Sequence, residues 1–131
     1  MGQMTKKLLL EEESYKIIDA CVAVNKKLGN GFEAEVYKQA LEMELQNSDI
    51  PFCKEKKLDV FYDGLKLRNA FVASFICFDN ILLEVKTLQE LKEDHHRQSI
   101  NALKATNLPI CLLVNFGEFG LTWQKLIYTG E

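Results

Sequence analysis

The residues best suited to chemistry lie in the segment Ile81-Leu82-Leu83-Glu84-Val85-Lys86. Glu84 and Lys86 are two apart, so on a strand their side chains share a face while Val85 points the other way, into packing. A carboxylate beside an ammonium on a central strand can serve phosphodiester hydrolysis. The carboxylate offers Mg²⁺ a hard oxygen ligand, and the lysine orients the attacking water or offsets negative charge in the transition state. The same three residues also fit a solvated ion pair on an exposed strand face, so the surrounding elements must decide between the two.

Those elements can be read from periodicity. Ile17, Cys21, Val24 and Leu28 recur at helical spacing, so a helix is expected from a Ser14 cap to about Leu28, where Gly29-Asn30-Gly31 turns the chain. Residues 1–12 read as a loose tail and 13–131 as one domain. A second helix is expected over about Glu33 to Gln46, with Val36, Tyr37, Ala40, Leu41 and Leu45 inward. The period then becomes two. Leu58, Val60 and Tyr62 lead to Asp63-Gly64, a hairpin signal, and a long strand is expected from Leu65 to Phe78. Asp79-Asn80 reads as a tight turn and Ile81 to Thr87 as a third strand. A helix over Glu93 to Thr106, the apolar run Ile110 to Val114 and a final strand over Leu121 to Tyr128 complete the chain. Strand, helix 93–106 and strand 110–114 form a βαβ unit with parallel strands. The prediction is an α/β fold, a mixed sheet flanked by helices in the order ααβββαββ.

Gly29-Asn30-Gly31-Phe32-Glu33-Ala34-Glu35-Val36-Tyr37, followed by Ala40-Leu41 and Glu44-Leu45, resembles the signature of the GxxExxY proteins. That bacterial and archaeal family is assigned to the PD-(D/E)XK nuclease superfamily, with its restriction-endonuclease-like fold. Leu83-Glu84-Val85-Lys86 resembles its E-x-K strand, His96-Arg97-Gln98 its glutamine-bearing helix, and Leu112 to Gly117 its closing strand. The resemblance covers residues 14 to 128. It implies a Mg²⁺-dependent site with Glu84, Lys86 and Gln98 as catalytic residues and acids at positions 34 and 74. This chain has Ala34 and Ser74 there, so Glu84 alone remains as a metal ligand. Glu33, Glu35 and Asp79 are the acids near enough in sequence to replace them, although Glu33 and Glu35 are each turned about 100° from position 34 on a helix. The implied reading is a remnant site that holds no metal tightly, with Mg²⁺ as cofactor only if activity survives.

The rest of the composition narrows the partners. A net charge of −3 gives no general attraction to nucleic acid, so binding would need a local basic patch. Lys54, Lys56 and Lys57, with Lys66 and Arg68 across the predicted hairpin, could supply one, joined by Arg97, but Glu55, Asp59 and Asp63 are interleaved. Phe116, Phe119 and Trp123 could form a stacking surface or pack under a turn. Asp94-His95-His96 spells a triplet found in metal-dependent phosphoesterases, but without their other acidic motifs it reads as a helix start with one histidine inward. The cysteines Cys21, Cys53, Cys77 and Cys111 match no metal-ligand spacing and read as reduced thiols of a cytoplasmic protein. No stretch suits a signal peptide or a membrane span. Three functions follow as expectations: a silent nuclease-fold protein that binds nucleic acid or a protein partner, an active Mg²⁺-dependent nuclease with a relocated acid, or a structural module that forms a homodimer or other oligomer.

Overall fold

The computed structural model describes residues 2–68 and 71–128, with side chains from Leu10 onward. Helix α1 spans Gly2–Leu28 and α2 spans Ala34–Asn47. Strand β1 covers Phe52–Leu58, β2 Phe61–Tyr62, β3 Leu65–Lys66, β4 Phe71–Cys77 and β5 Ile81–Lys86. Helix α3 (Glu93–Thr106), β6 (Ile110–Asn115) and β7 (Thr122–Ile127) follow. The five long strands form one sheet in the order β1-β4-β5-β6-β7, and β2-β3 is a separate two-stranded ribbon.

Several local expectations are corrected. The segment expected as a loose tail is helix from Gly2, and Leu10 is buried in the core. Ser14 therefore lies inside α1, where its hydroxyl donates to the Leu10 carbonyl rather than capping a helix start. The long strand expected over Leu65 to Phe78 is two strands: β3 closes the Asp63-Gly64 hairpin, and β4 begins at Phe71. The next turn centres on Phe78-Asp79, both at positive φ, rather than on Asp79-Asn80.

The core lies on both sides of the sheet. On one side α1 and α2 bury Ile17, Cys21, Val24, Tyr37, Leu41 and Leu45 against Phe75, Leu83, Val85 and Leu112. Each large apolar side chain fully buried here stabilises the fold by roughly 1.5–3 kcal/mol. On the other side α3 covers a smaller cluster of Ala73, Ile76, Leu82 and Cys111 with Ala102 and Leu103. β6 is buried along its whole length, which explains its unbroken apolar run. β5 and β6 pair in parallel over six residues, from Ile81 opposite Ile110 to Lys86 opposite Asn115, with α3 as the crossover.

β4 departs from strict alternation. Phe75 and Cys77 pack with α1 and α2, whereas Ala73 and Ile76 both pack in the α3-side cluster. The pleat therefore slips between Ala73 and Phe75, at Ser74. On the neighbouring strand, Glu55 has φ 50, a left-handed conformation uncommon for glutamate.

Candidate functional site

Glu84 and Lys86 project from β5 on the side covered by α3. They share a cleft with Phe71 of β4 and with Gln98, Ser99 and Ala102 of α3. Ala102 follows Ser99 by three residues and Gln98 by four, so it neighbours both on one side of that helix. The helix is set by a reciprocal cap: the Lys92 N–H donates to His95 Nδ1 at 3.0 Å, and the His95 N–H donates to the Lys92 carbonyl at 3.0 Å. The structure thus brings together the three residues that the sequence reading grouped, Glu84, Lys86 and Gln98.

The two positions expected to carry acids lie on different elements. Ser74 is buried on β4, and its backbone N–H donates to Glu84 Oε1 at 3.4 Å. Ala34 opens α2, and Lys38, one turn later, falls on the same helix face. The acids expected as replacements lie on other parts of the fold. Glu33 and Glu35 are exposed at the start of α2, and Asp79 sits in the turn beyond the far end of β4.

The acid that does come near is Glu55. β1 and β4 pair with Lys54 opposite Phe75 and Lys56 opposite Ala73, which sets Glu55 across from Ser74. β4 and β5 pair with Phe75 opposite Leu83, so the next position along sets Ser74 across from Glu84. Glu55, Ser74 and Glu84 therefore form one row across three neighbouring strands. Lys38 Nζ lies 3.8 Å from Glu55 Oε1. Neither Lys38 nor Glu55 was singled out for this site from sequence. Glu55 read as an acid interleaved in a basic run, and its place in the row depends on a strand pairing that local periodicity does not encode.

The row sets the electrostatics. Burial pushes the Glu84 carboxyl above the ordinary carboxylate range. The Ser74 N–H, then Lys86 and Lys38, pull it back in part, and the Glu55 carboxylate pushes it up further. Mg²⁺ wants about six oxygens in octahedral geometry, usually with one or two carboxylates among them. Glu84 carries the one carboxylate among the cleft-lining residues, two lysines act on it, and Glu55 is turned to Lys38. Among the described residues no group of three or more His, Cys, Asp or Glu side chains is placed to hold a metal ion.

Other residues singled out from sequence have different roles. Tyr37 is fully buried, its hydroxyl donating to the Gly29 carbonyl at 2.6 Å and accepting the Phe32 N–H at 3.3 Å. Its ring stacks on Phe116 at 4.5 Å between centroids. The tyrosine thus ties the α1–α2 turn, where Gly29 and Gly31 have positive φ, to the end of β6. Phe116, Phe119 and Trp123 are not one surface, because Phe116 is buried while Phe119 is fully exposed. Lys56 lies on β1 opposite Ala73, whereas Lys66 and Arg68 belong to the exposed β2–β3 ribbon and its exit, so the basic residues do not form a single hairpin. Lys66 pairs with Asp59 at 3.4 Å and Arg97 with Asp94 at 2.7 Å. His96 is the inward histidine, its Nε2 buried without a hydrogen-bond partner among the described residues. All four cysteines are free, and burial pushes the Cys77 and Cys111 thiols up to about 12. Among the described residues no helix is long and apolar enough to cross a membrane.

A family model described as the PD-(D/E)XK nuclease superfamily matches residues 11–126, a span that runs from α1 into β7 and contains the whole row and cleft. No curated protein and no solved structure matches the chain.

Proposed function

The chain belongs to the PD-(D/E)XK nuclease superfamily, and from that premise we propose that it is a member of GxxExxY type whose metal site has decayed, a cytoplasmic binding module that holds nucleic acid without cutting it. One observation carries this reading: the β4 residue beside Glu84 is Ser74, not an acid, while Lys86 and Lys38 supply positive charge that favours the ionised carboxylate. Loss of a metal-ligating carboxylate misplaces both the cation and the water it would activate. Glu84, Lys86 and Gln98 are then the remnant of a hydrolytic site, with Ala34 and Ser74 at the missing acid positions.

The exposed cations Lys56, Lys66, Arg68 and Arg97 are the candidate phosphate contacts, because sequence-independent affinity for nucleic acid comes from neutralising phosphates. The test pairs a plasmid-cleavage assay in Mg²⁺ or Mn²⁺ with fluorescence anisotropy on a labelled DNA or RNA oligonucleotide. Salt-sensitive binding without cleavage is expected. Cleavage by the unaltered chain, abolished in Glu84→Ala, would establish instead the second reading, an active Mg²⁺-dependent phosphodiesterase. The observation that favours that second reading is the row itself, since Glu55 is an acid within two strands of Glu84. No affinity for either polymer would leave a protein partner as the ligand class.

A further inference from the structure

We propose that one face of the β2–β3 ribbon is a stacking platform for a single strand of nucleic acid, with Phe61 under an unpaired base and Lys66 and Arg68 on the phosphates beside it. The register of the ribbon sorts its residues. Phe61 stands opposite Lys66 and Tyr62 opposite Leu65, and the Leu67 N–H donates to the Val60 carbonyl at 2.9 Å, which extends the ladder by one pair. Opposed residues share a face and successive residues alternate, so Phe61 and Lys66 lie on one face and Tyr62 and Leu65 on the other. The Lys66–Asp59 ion pair at 3.4 Å puts Asp59 on the Phe61 side, as that alternation requires. Arg68 follows Lys66 by two and leaves the ribbon on the same side.

The Phe61 face combines the two features that hold an unpaired strand. Its ring is 59% exposed, with one cation directly across the ribbon and a second on the diagonal. A base laid on the ring therefore has two cations in reach of the phosphates that flank it. Every base has a π-face, and stacking on an aromatic side chain contributes about 1–3 kcal/mol. Asp59 does not block the contact, because its pair with Lys66 joins two exposed side chains and such pairs contribute at most about 1 kcal/mol. A duplex suits the face less, since its bases stack on one another and turn only their edges into the grooves. A protein partner would instead cover the apolar face of Tyr62 and Leu65. Position ties the platform to the cleft. The ribbon is inserted between Leu58, which ends β1, and Phe71, which opens β4; these two are paired, and Phe71 lines the cleft with Glu84, Lys86 and Gln98. The platform thus grows out of the strand pair that forms one wall of the cleft.

This inference rests on the reading of a chain that holds nucleic acid without cutting it, and the experiment separates the two. Fluorescence anisotropy of the full chain is measured on a labelled deoxythymidine oligonucleotide, on a uridine oligonucleotide of the same length and on a DNA duplex of that length. A single strand should bind more tightly than the duplex. Phe61→Leu should weaken single-strand binding about fivefold or more, while Phe61→Trp preserves it. Arg68→Ala should flatten the slope of log affinity against log salt by about 0.7, the share of one phosphate contact on a single strand. Tyr62→Ser, on the opposite face, should leave the affinity unchanged. Should Phe61→Leu not fold, Phe61→Met carries the same expectation. Phe61-dependent binding of either oligonucleotide supports the proposal, and the one bound more tightly tells DNA from RNA as the source of the strand. A folded Phe61→Leu chain that binds like the unaltered one, a preference for duplex, or a loss on Tyr62→Ser without one on Phe61→Leu overturns the proposal and leaves the nucleic-acid reading standing. Absence of binding to all three probes overturns both. Phe61-dependent binding accompanied by Glu84-dependent cleavage keeps the platform and removes only the non-cutting reading.

Discussion

The two flanks of β5 are built differently. Toward β6 the ladder runs the full length of the strand and ends in a clamp: buried Asn115 accepts the Leu88 N–H at 2.8 Å and donates to the Leu88 carbonyl at 2.9 Å. The same side chain accepts the Gly117 N–H at 3.0 Å and donates to Glu118 at 2.9 Å. Glu118, which also accepts from Thr122, is held below the ordinary carboxylate range by these hydrogen bonds. Toward β4 the ladder covers only Phe75, Ile76 and Cys77 against Leu83, Leu82 and Ile81, then stops where Ser74 meets Glu84. One flank satisfies its buried polar groups with hydrogen bonds from an amide side chain, and the other carries a row of charges. The first fixes where β5 ends; the second leaves the carboxylate on it open to electrostatic change.

The largest expected effect would break the clamped flank. A Cβ at Gly117 would run into the backbone of Leu88 and Thr87, so Gly117→Ala should cost about 3 kcal/mol in urea unfolding, because main chain must move. Asn115→Ala should cost about 2–3 kcal/mol by the same measurement, since it strands the Leu88 N–H and carbonyl inside the protein. On the open flank, Ser74→Asp should cost less, about 1–2 kcal/mol at neutral pH, by adding a carboxylate to the row. That loss should shrink on acidification. With Ala34→Glu added, Mn²⁺ should restore the melting temperature.

A pH series sharpens the contrast. The Glu84 pKa is raised in the folded chain, chiefly by burial. Below the ordinary carboxylate range both folded and unfolded chains hold the proton, and Glu84 adds no slope. As pH rises from that range to the raised folded value, the unfolded chain releases its proton first, so stability falls; above it the loss is complete. Glu84→Gln should remove this part of the pH dependence in denaturation curves and leave the chain more stable at neutral pH. The smallest effect belongs to the projecting ribbon, where Lys66→Ala should change stability by less than about 0.5 kcal/mol while weakening any oligonucleotide binding.

Legibility from sequence followed the same division. The α3 helix matched its expected bounds, Glu93 to Thr106, because the acidic start at Glu93-Asp94 and Pro109 after its end are local signals. The Asp63-Gly64 hairpin was legible because a tight two-residue turn requires positive φ at both positions, which these residues tolerate. Strand β1 was misplaced because Lys54-Glu55-Lys56-Lys57 shows no apolar alternation on an edge strand with an exposed outer side. With β1 misplaced, its pairing to β4 could not be seen, and Glu55 went unrecognised as a neighbour of Glu84. Lys38 was missed for a related reason: helical spacing shows that it shares a face with Ala34, but not which strand that face approaches.

Sequence alone determined the α/β class, the parallel βαβ unit, and the side-by-side placement of Glu84 and Lys86, because each depends on contacts between residues close along the chain. It also determined that Ala34 and Ser74 bring no charge. Only the tertiary structure decided which charges surround Glu84. Strand register and helix docking join residues tens of positions apart, and the energies that choose them come from the packed core, not from the residues of the row.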